Sequence, residues 1–138
     1  FWNVYGPEHD AEKSHVITDF IFKAKDTGVI DMRTDGTEVR QFLHAEDCGR
    51  ALEALSYHYD DIPRDKNLHI TNFMWNSILE IAEIIASHYD DVTIKPSDKK
   101  DMVQRDKRNE PDPYIFKYWK PKIQIFEGIS RMVEYYNE

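Results

Sequence analysis

Four stretches of this chain repeat apolar residues every three or four positions, and the segments between them are long enough only for short strands, turns and loops. Val16, Ile17, Phe20, Ile21 and Ala24 make the first stripe, in a helix expected from Ser14 to Thr27 and stopped by Gly28. Cys48, Ala51, Leu52, Leu55 and Tyr59 make the second. Ile78, Ile81, Ala82 and Ile85 make the third, and Ile129, Met132, Val133 and Tyr136 the fourth. Ser77 and Glu80 form a capping box at the start of the third helix, because each side chain satisfies an amide that the first helical turn leaves bare. Val29 to Met32, Glu38 to Leu43, Asn67 to Thr71 and Val92 to Ile94 read as strands, with Asp35-Gly36 as a hairpin turn between the first two. The fold class is α/β, helices with a few short strands.

With 138 residues and 41% hydrophobic content, the chain has material for about one domain core. No linker or repeat divides it. A net charge of -8 argues against nucleic acid as a partner, since phosphate backbones select basic surfaces. No apolar run approaches the roughly 20 residues that cross a bilayer, so no membrane partner is expected. Cys48 is the only cysteine, which excludes an internal disulfide and suggests a reducing, cytoplasmic setting. The six histidines lack zinc-site spacing, so no metal is expected. Residues Lys95 to Pro113 mix Lys99, Lys100, Arg105, Lys107 and Arg108 with Asp98, Asp101, Asp106 and Glu110, the texture of a long charged loop.

Several short motifs recur in one order along almost the whole chain. They are Phe1-Trp2-Asn3-Val4-Tyr5-Gly6-Pro7, Ser14 to Ile21, Asp35-Gly36-Thr37-Glu38-Val39-Arg40-Gln41-Phe42-Leu43-His44 with Asp47, Ser77 to Ala82, Arg108-Asn109-Glu110-Pro111-Asp112, Trp119-Lys120-Pro121 and Glu127-Gly128-Ile129. Together they resemble the extended short-chain dehydrogenase/reductases that act on nucleotide sugars, the NAD(P)-dependent epimerases and dehydratases. The resemblance implies the C-terminal substrate-binding lobe of such an enzyme, over residues 1–138 and without the Rossmann nucleotide-binding core. No G-x-x-G-x-x-G is present, and the five glycines are dispersed. The family's Tyr-x-x-x-Lys pair lies upstream of the Asn3 motif, and Tyr114 is followed at the fourth place by Tyr118 rather than lysine. No catalytic residue and no cofactor site are therefore expected in this chain, NAD(P) being implied for the complete enzyme.

The same resemblance nominates substrate-binding residues. Arg40 and Arg108 are expected to converge on the pyrophosphate of a nucleotide sugar, where planar guanidinium forks form paired hydrogen bonds that lysine cannot. Read without the resemblance, Arg40 is a surface strand residue paired with Glu38 or Asp47, and Arg108 a partner of Asp112. Asn3 either donates to a phosphate oxygen or turns its own backbone. Ser14 and Val16 open a helix whose amides are placed to meet base or phosphate, or Ser14 simply caps that helix. Asp112 is expected to grip Arg108 or a ribose hydroxyl. Arg33 stands where an aromatic residue commonly lies near the base, Glu8 stands where arginine is common, and the nucleotide is left open among UDP, dTDP and GDP. His44 beside Asp47 reads as acid–base chemistry or, more simply, as a packed strand residue. Tyr114, Phe116, Tyr118 and Trp119 read as core and hinge packing.

Three functions fit: a nucleotide-sugar-binding lobe inactive as this fragment, a stand-alone binding module derived from that lobe, or a non-functional truncated product. In the family this lobe packs against the dinucleotide domain, and loss of that contact leaves apolar surface and strand edge around Phe1 to Tyr5 and neighbouring aromatics, which favours self-association. Light scattering is expected to show a homo-oligomer; a stable monomer would remove that expectation.

Overall fold

The computed structural model describes residues 1–103 and 109–138. All four apolar stripes become helices: α1, Val16–Thr27; α2, Ala45–Tyr57; α3, Ile78–Ala86; α4, Ile125–Asn137. Gly28 ends α1 in the left-handed region at φ 67°, its amide donating back to the Ala24 carbonyl. The Ser77–Glu80 capping box opens α3 as expected. Among the described residues no helix is long and apolar enough to cross a membrane.

Two helix expectations need correction. Ser14 does not cap α1: it follows a 3-10 turn at Ala11–Lys13, and His15 occupies the capping position without a side-chain bond. The Glu8 carboxylate instead accepts from the His15 amide at 3.0 Å and so fixes the entry to the helix. Leu52 and Tyr59 do not belong to the buried stripe of α2; both are exposed, and Tyr59 lies beyond the end of the helix.

The strands are β1, Val4–Tyr5; β2, Val29–Asp31; β3, Val39–Arg40; β4, Leu43–His44; β5, Asn76–Ser77; and β6, Thr93–Lys95. They form three separate pairs: β1 with β4 and β2 with β6 in parallel, β3 with β5 antiparallel. The hairpin expected at Asp35-Gly36 is absent. Gly36 has φ 77°, and a Cβ there would lie 2.5 Å from the Met32 methyl and 3.0 Å from Leu79 Cβ. Its carbonyl accepts from the Leu79 amide at 3.0 Å, so the turn docks on the start of α3 instead of folding β3 back on β2.

The strand expected from Glu38 to Leu43 is two strands with different partners. Gln41 sits buried between them, its side chain accepting from the Thr71 hydroxyl at 2.7 Å and its carbonyl from the Asn3 amide at 3.2 Å. Residues 67–71 are buried at Ile70 and Thr71 but form no strand; the Trp2 amide donates to the Ile70 carbonyl at 3.1 Å.

The larger core gathers Ile17, Ile21, Ile30, Ile81, Ile85 and Ile129 between α1, α3 and α4. A smaller one packs Leu43, Ala51, Ile70, Ile115 and Trp119 beneath α2. Of the late aromatic cluster, Trp119 therefore serves as core, while Phe116 is exposed.

Where α4 crosses β1, a Cβ on Gly128 would lie 1.8 Å from the Tyr5 hydroxyl oxygen. That hydroxyl is buried without a hydrogen-bond partner. Gly128→Ala is expected to destabilise the fold by about 2 kcal/mol through overpacking. Tyr5→Phe in that background should recover part of the loss, because it removes the clashing atom and an unsatisfied polar group together. Urea denaturation of the two single variants and the double variant checks this; additive effects would exclude the contact.

Candidate functional site

β1, the start of α1, the segment after β2 and the segment leading through β3 together wall a cleft of about 550 Å³. Asn3, Ser14, Val16, Arg33 and Arg40 all line it. Five of the seven residues nominated from sequence thus meet in one place, although they come from four separate stretches of chain. Arg108 lies outside the described residues. Asp112 is not part of the wall: its carboxylate accepts from the Tyr114 amide at 2.9 Å and caps the 3-10 turn Pro113–Lys117.

Each polar wall residue has a specific setting. Asn3 does not turn its own backbone; its side-chain amide reaches the Gln41 carbonyl and clips β1 to the link between β3 and β4. Arg40 pairs with neither Glu38 nor Asp47. Its Nη2 lies 2.8 Å from Asp101 Oδ2, and its Nη1 donates to the Val39 carbonyl at 2.9 Å. Asp47 is unavailable because it is fully buried, with Oδ2 accepting from the Lys122 and Ile123 amides at 2.8 and 2.7 Å.

Glu38 was not among the residues nominated from sequence, yet it lines the cleft. Its Oε1 accepts from the Thr34 hydroxyl at 2.6 Å, while Oε2 is buried with no hydrogen-bond partner. A signal was present: Glu38 and Arg40 are two residues apart in extended chain and so share a face. The wall carries three carboxylates, Glu12, Asp19 and Glu38, against the guanidiniums of Arg33 and Arg40. Lys23 pairs with Asp19 at 2.8 Å and offsets one of the three.

His44 lies outside this wall. Its Nδ1 accepts from the Glu46 amide at 3.2 Å and its ring meets the Tyr5 ring edge-on at 5.3 Å. Burial, and then the nearby Arg131 charge, lower its pKa and favour the neutral ring, whose Nδ1 caps the start of α2. Among the described residues, no group of three or more His, Cys, Asp or Glu is placed to hold a metal ion.

Residues 1–71 match the model of the NAD dependent epimerase/dehydratase family. GDP-L-fucose synthase of Sinorhizobium fredii (strain NBRC 101917 / NGR234) is 31% identical, the match covering 96% of this chain and 44% of that protein. UDP-glucuronic acid decarboxylase 5 of Arabidopsis thaliana is 27% identical over 96% of this chain and 38% of that protein. The fold is also similar to part of ADP-L-glycero-D-manno-heptose-6-epimerase of Helicobacter pylori, with TM-score 0.79 at 18% identity, covering 99% of this chain and 42% of that one. The chain spans less than half the length of each of these proteins.

Beside the cleft, the turn after β2 anchors the charged segment that follows β6. The Asp35 amide donates to the Lys99 carbonyl at 2.7 Å, the Ser97 amide to the Thr34 carbonyl at 2.9 Å, and Lys100 lies 3.2 Å from the Asp35 carboxylate. The Thr37 amide, then the Thr37 hydroxyl, hold the Asp35 carboxyl down at about 2, from an ordinary 3.8. A depressed carboxyl contributes stability that is complete above the ordinary value and lost as pH falls through the folded one. Thr37→Val keeps the amide bond and loses the hydroxyl, so NMR titration should find the Asp35 carboxyl partway back toward 3.8. The stability deficit of the variant should be present at pH 5 and shrink steeply as pH falls from about 4 through about 2; a pH-independent deficit would exclude this linkage.

Proposed function

The chain belongs to the NAD dependent epimerase/dehydratase family, and we propose that it is the nucleotide-sugar-binding lobe of such an enzyme, with the cleft between β1, α1 and β3 receiving the diphosphate. The observation that carries this reading is the meeting of Asn3, Ser14, Val16, Arg33 and Arg40 in one wall. Arg40 supplies the guanidinium fork for a phosphate oxygen, and Arg33 a second positive charge. The unpartnered oxygen of Glu38 is suited to accept a ribose or sugar hydroxyl, which a phosphate oxygen could not satisfy. Val16, Phe20, Met32 and Phe42 offer apolar contact to the flat faces of a base or sugar. Relatives named for GDP- and for UDP-linked sugars are both similar to this chain, so the nucleotide stays at the level of a nucleoside diphosphate.

The family implies NAD(P), whose pyrophosphate needs a glycine-rich turn between a strand and a helix. At β4 to α2 and at β5 to α3 the strand runs directly into the helix, with His44 and Ser77 accepting from the early helix amides. Gly6 is used in packing, since a Cβ there would meet Ala45 Cβ at 2.8 Å. The described residues do not fit a dinucleotide cradle, and no hydride or proton transfer is assigned to them. The role of this lobe is to bind the nucleotide diphosphate and orient the sugar attached to it.

Calorimetry tests the reading. UDP and GDP should bind more tightly than uridine and guanosine, with affinity falling as salt rises. Arg40→Lys should weaken diphosphate binding about tenfold despite the retained charge, the equivalent of one charge-assisted hydrogen bond. Unchanged diphosphate binding in Arg40→Ala would overturn the assignment.

A further inference from the structure

We propose that Asp101 is an internal anion that occupies Arg40 in the free protein, so that a ligand enters the cleft only by bringing an anion strong enough to displace it. The inference rests on the diphosphate reading of the cleft and adds a specificity-determining residue to it.

Asp101 Oδ2 lies 2.8 Å from Arg40 Nη2, and both side chains are mostly withdrawn from water, at 18% and 28% exposure. Such a pair is screened less than a surface one. Arg40 Nη1 is already turned back to the Val39 carbonyl and Nη2 to the Asp101 carboxylate, so both arms of the guanidinium carry a partner that a phosphate must replace or share. The position is not a chance of a drifting loop. Ser97, Lys99 and Lys100 are each tied to Thr34 or Asp35, which brings Asp101 to Arg40 across 61 positions of chain. The other carboxylate oxygen, Oδ1, accepts from the Val103 amide at 2.6 Å, so Asp101 keeps a backbone partner when Arg40 leaves it.

An anion arriving at Arg40 meets the Asp101 charge as well as the guanidinium. A singly charged or neutral ligand exchanges one carboxylate contact for another of equal or lesser strength and gains nothing, and a monophosphate, with at most about two charges, gains less than a diphosphate. A diphosphate brings more charge and more acceptor oxygens, and Arg33 lies in the same wall to meet them. Asp101 therefore acts as a threshold that favours diphosphates over monophosphates, sugars and carboxylates.

Calorimetry of the chain with inorganic pyrophosphate and, separately, orthophosphate reads this directly. Asp101→Asn should bind pyrophosphate about fivefold more tightly, the scale of a single ion pair. It should gain more for orthophosphate, narrowing the ratio between the two. Asp101→Glu, which restores the charge, should return both affinities toward the parent values. Asp101→Ser, able to keep the Val103 hydrogen bond, is the second neutral variant should Asp101→Asn fail to fold. Equal or weaker pyrophosphate binding in the neutral variants overturns the proposal, since Asp101 would then position Arg40 rather than compete for it. In that case continued loss of binding in Arg40→Ala leaves the diphosphate site standing. Absence of pyrophosphate binding in every form, the parent included, overturns both.

Discussion

A single buried carboxylate sets the geometry on which the cleft depends. Asp47 is fully buried at the start of α2, and burying an ion costs several kcal/mol unless hydrogen bonds replace the water it loses. The Lys122 and Ile123 amides supply those bonds, and Arg50 stands 3.4 Å from the other oxygen. This ties the first turn of α2 to the residues that lead into α4. It directs α4 across β1, where Gly128 meets the Tyr5 ring. Burial first, and the Asp47 charge second, push the Tyr5 hydroxyl pKa far above its ordinary value, so it stays neutral at the crossing. β1 is then held beside β4, and Asn3 falls next to Gln41.

Around this joint the sheet structure is minimal. Pairs of two- and three-residue strands have little stability of their own and exist because helices pack over them. The chain is stitched by side chains instead. Asn3 bonds Gln41, Gln41 bonds Thr71, and Tyr136 of α4 exchanges bonds with the Glu8 backbone, accepting at 2.6 Å and donating at 3.0 Å. Glu8 thus braces α1 through its carboxylate and α4 through its backbone.

The cleft opens where these short pairs diverge. β3 leaves toward β5 and β4 toward β1, and Glu38, Arg40 and Phe42 are left facing the start of α1. Buried polar groups normally find partners, so the bare Glu38 oxygen in this wall is informative. Its neighbour Arg40 is engaged by a residue from far along the chain, an arrangement that no local pattern around Arg40 announces.

What was legible in the residues alone was the helical content, because a stripe such as Ile78, Ile81, Ala82 and Ile85 repeats with the helical period and local caps mark its ends. The motif order identified the family, and five of the residues it nominated line the cleft. Strand pairing was not legible. Asp35-Gly36 carries hairpin chemistry, yet close packing of Gly36 against Met32 and Leu79 sent the two flanking strands to distant partners. Likewise Arg40 read as a partner for Glu38 or Asp47, carboxylates close to it in sequence. Only the tertiary structure decided for Asp101, because Asp47 was consumed by the Lys122 and Ile123 amides, and the segment after β6 was laid against Asp35. Helix periods are local and survive in the sequence; partners of buried charges depend on which distant groups compete for them, and that competition is settled only when the chain is packed.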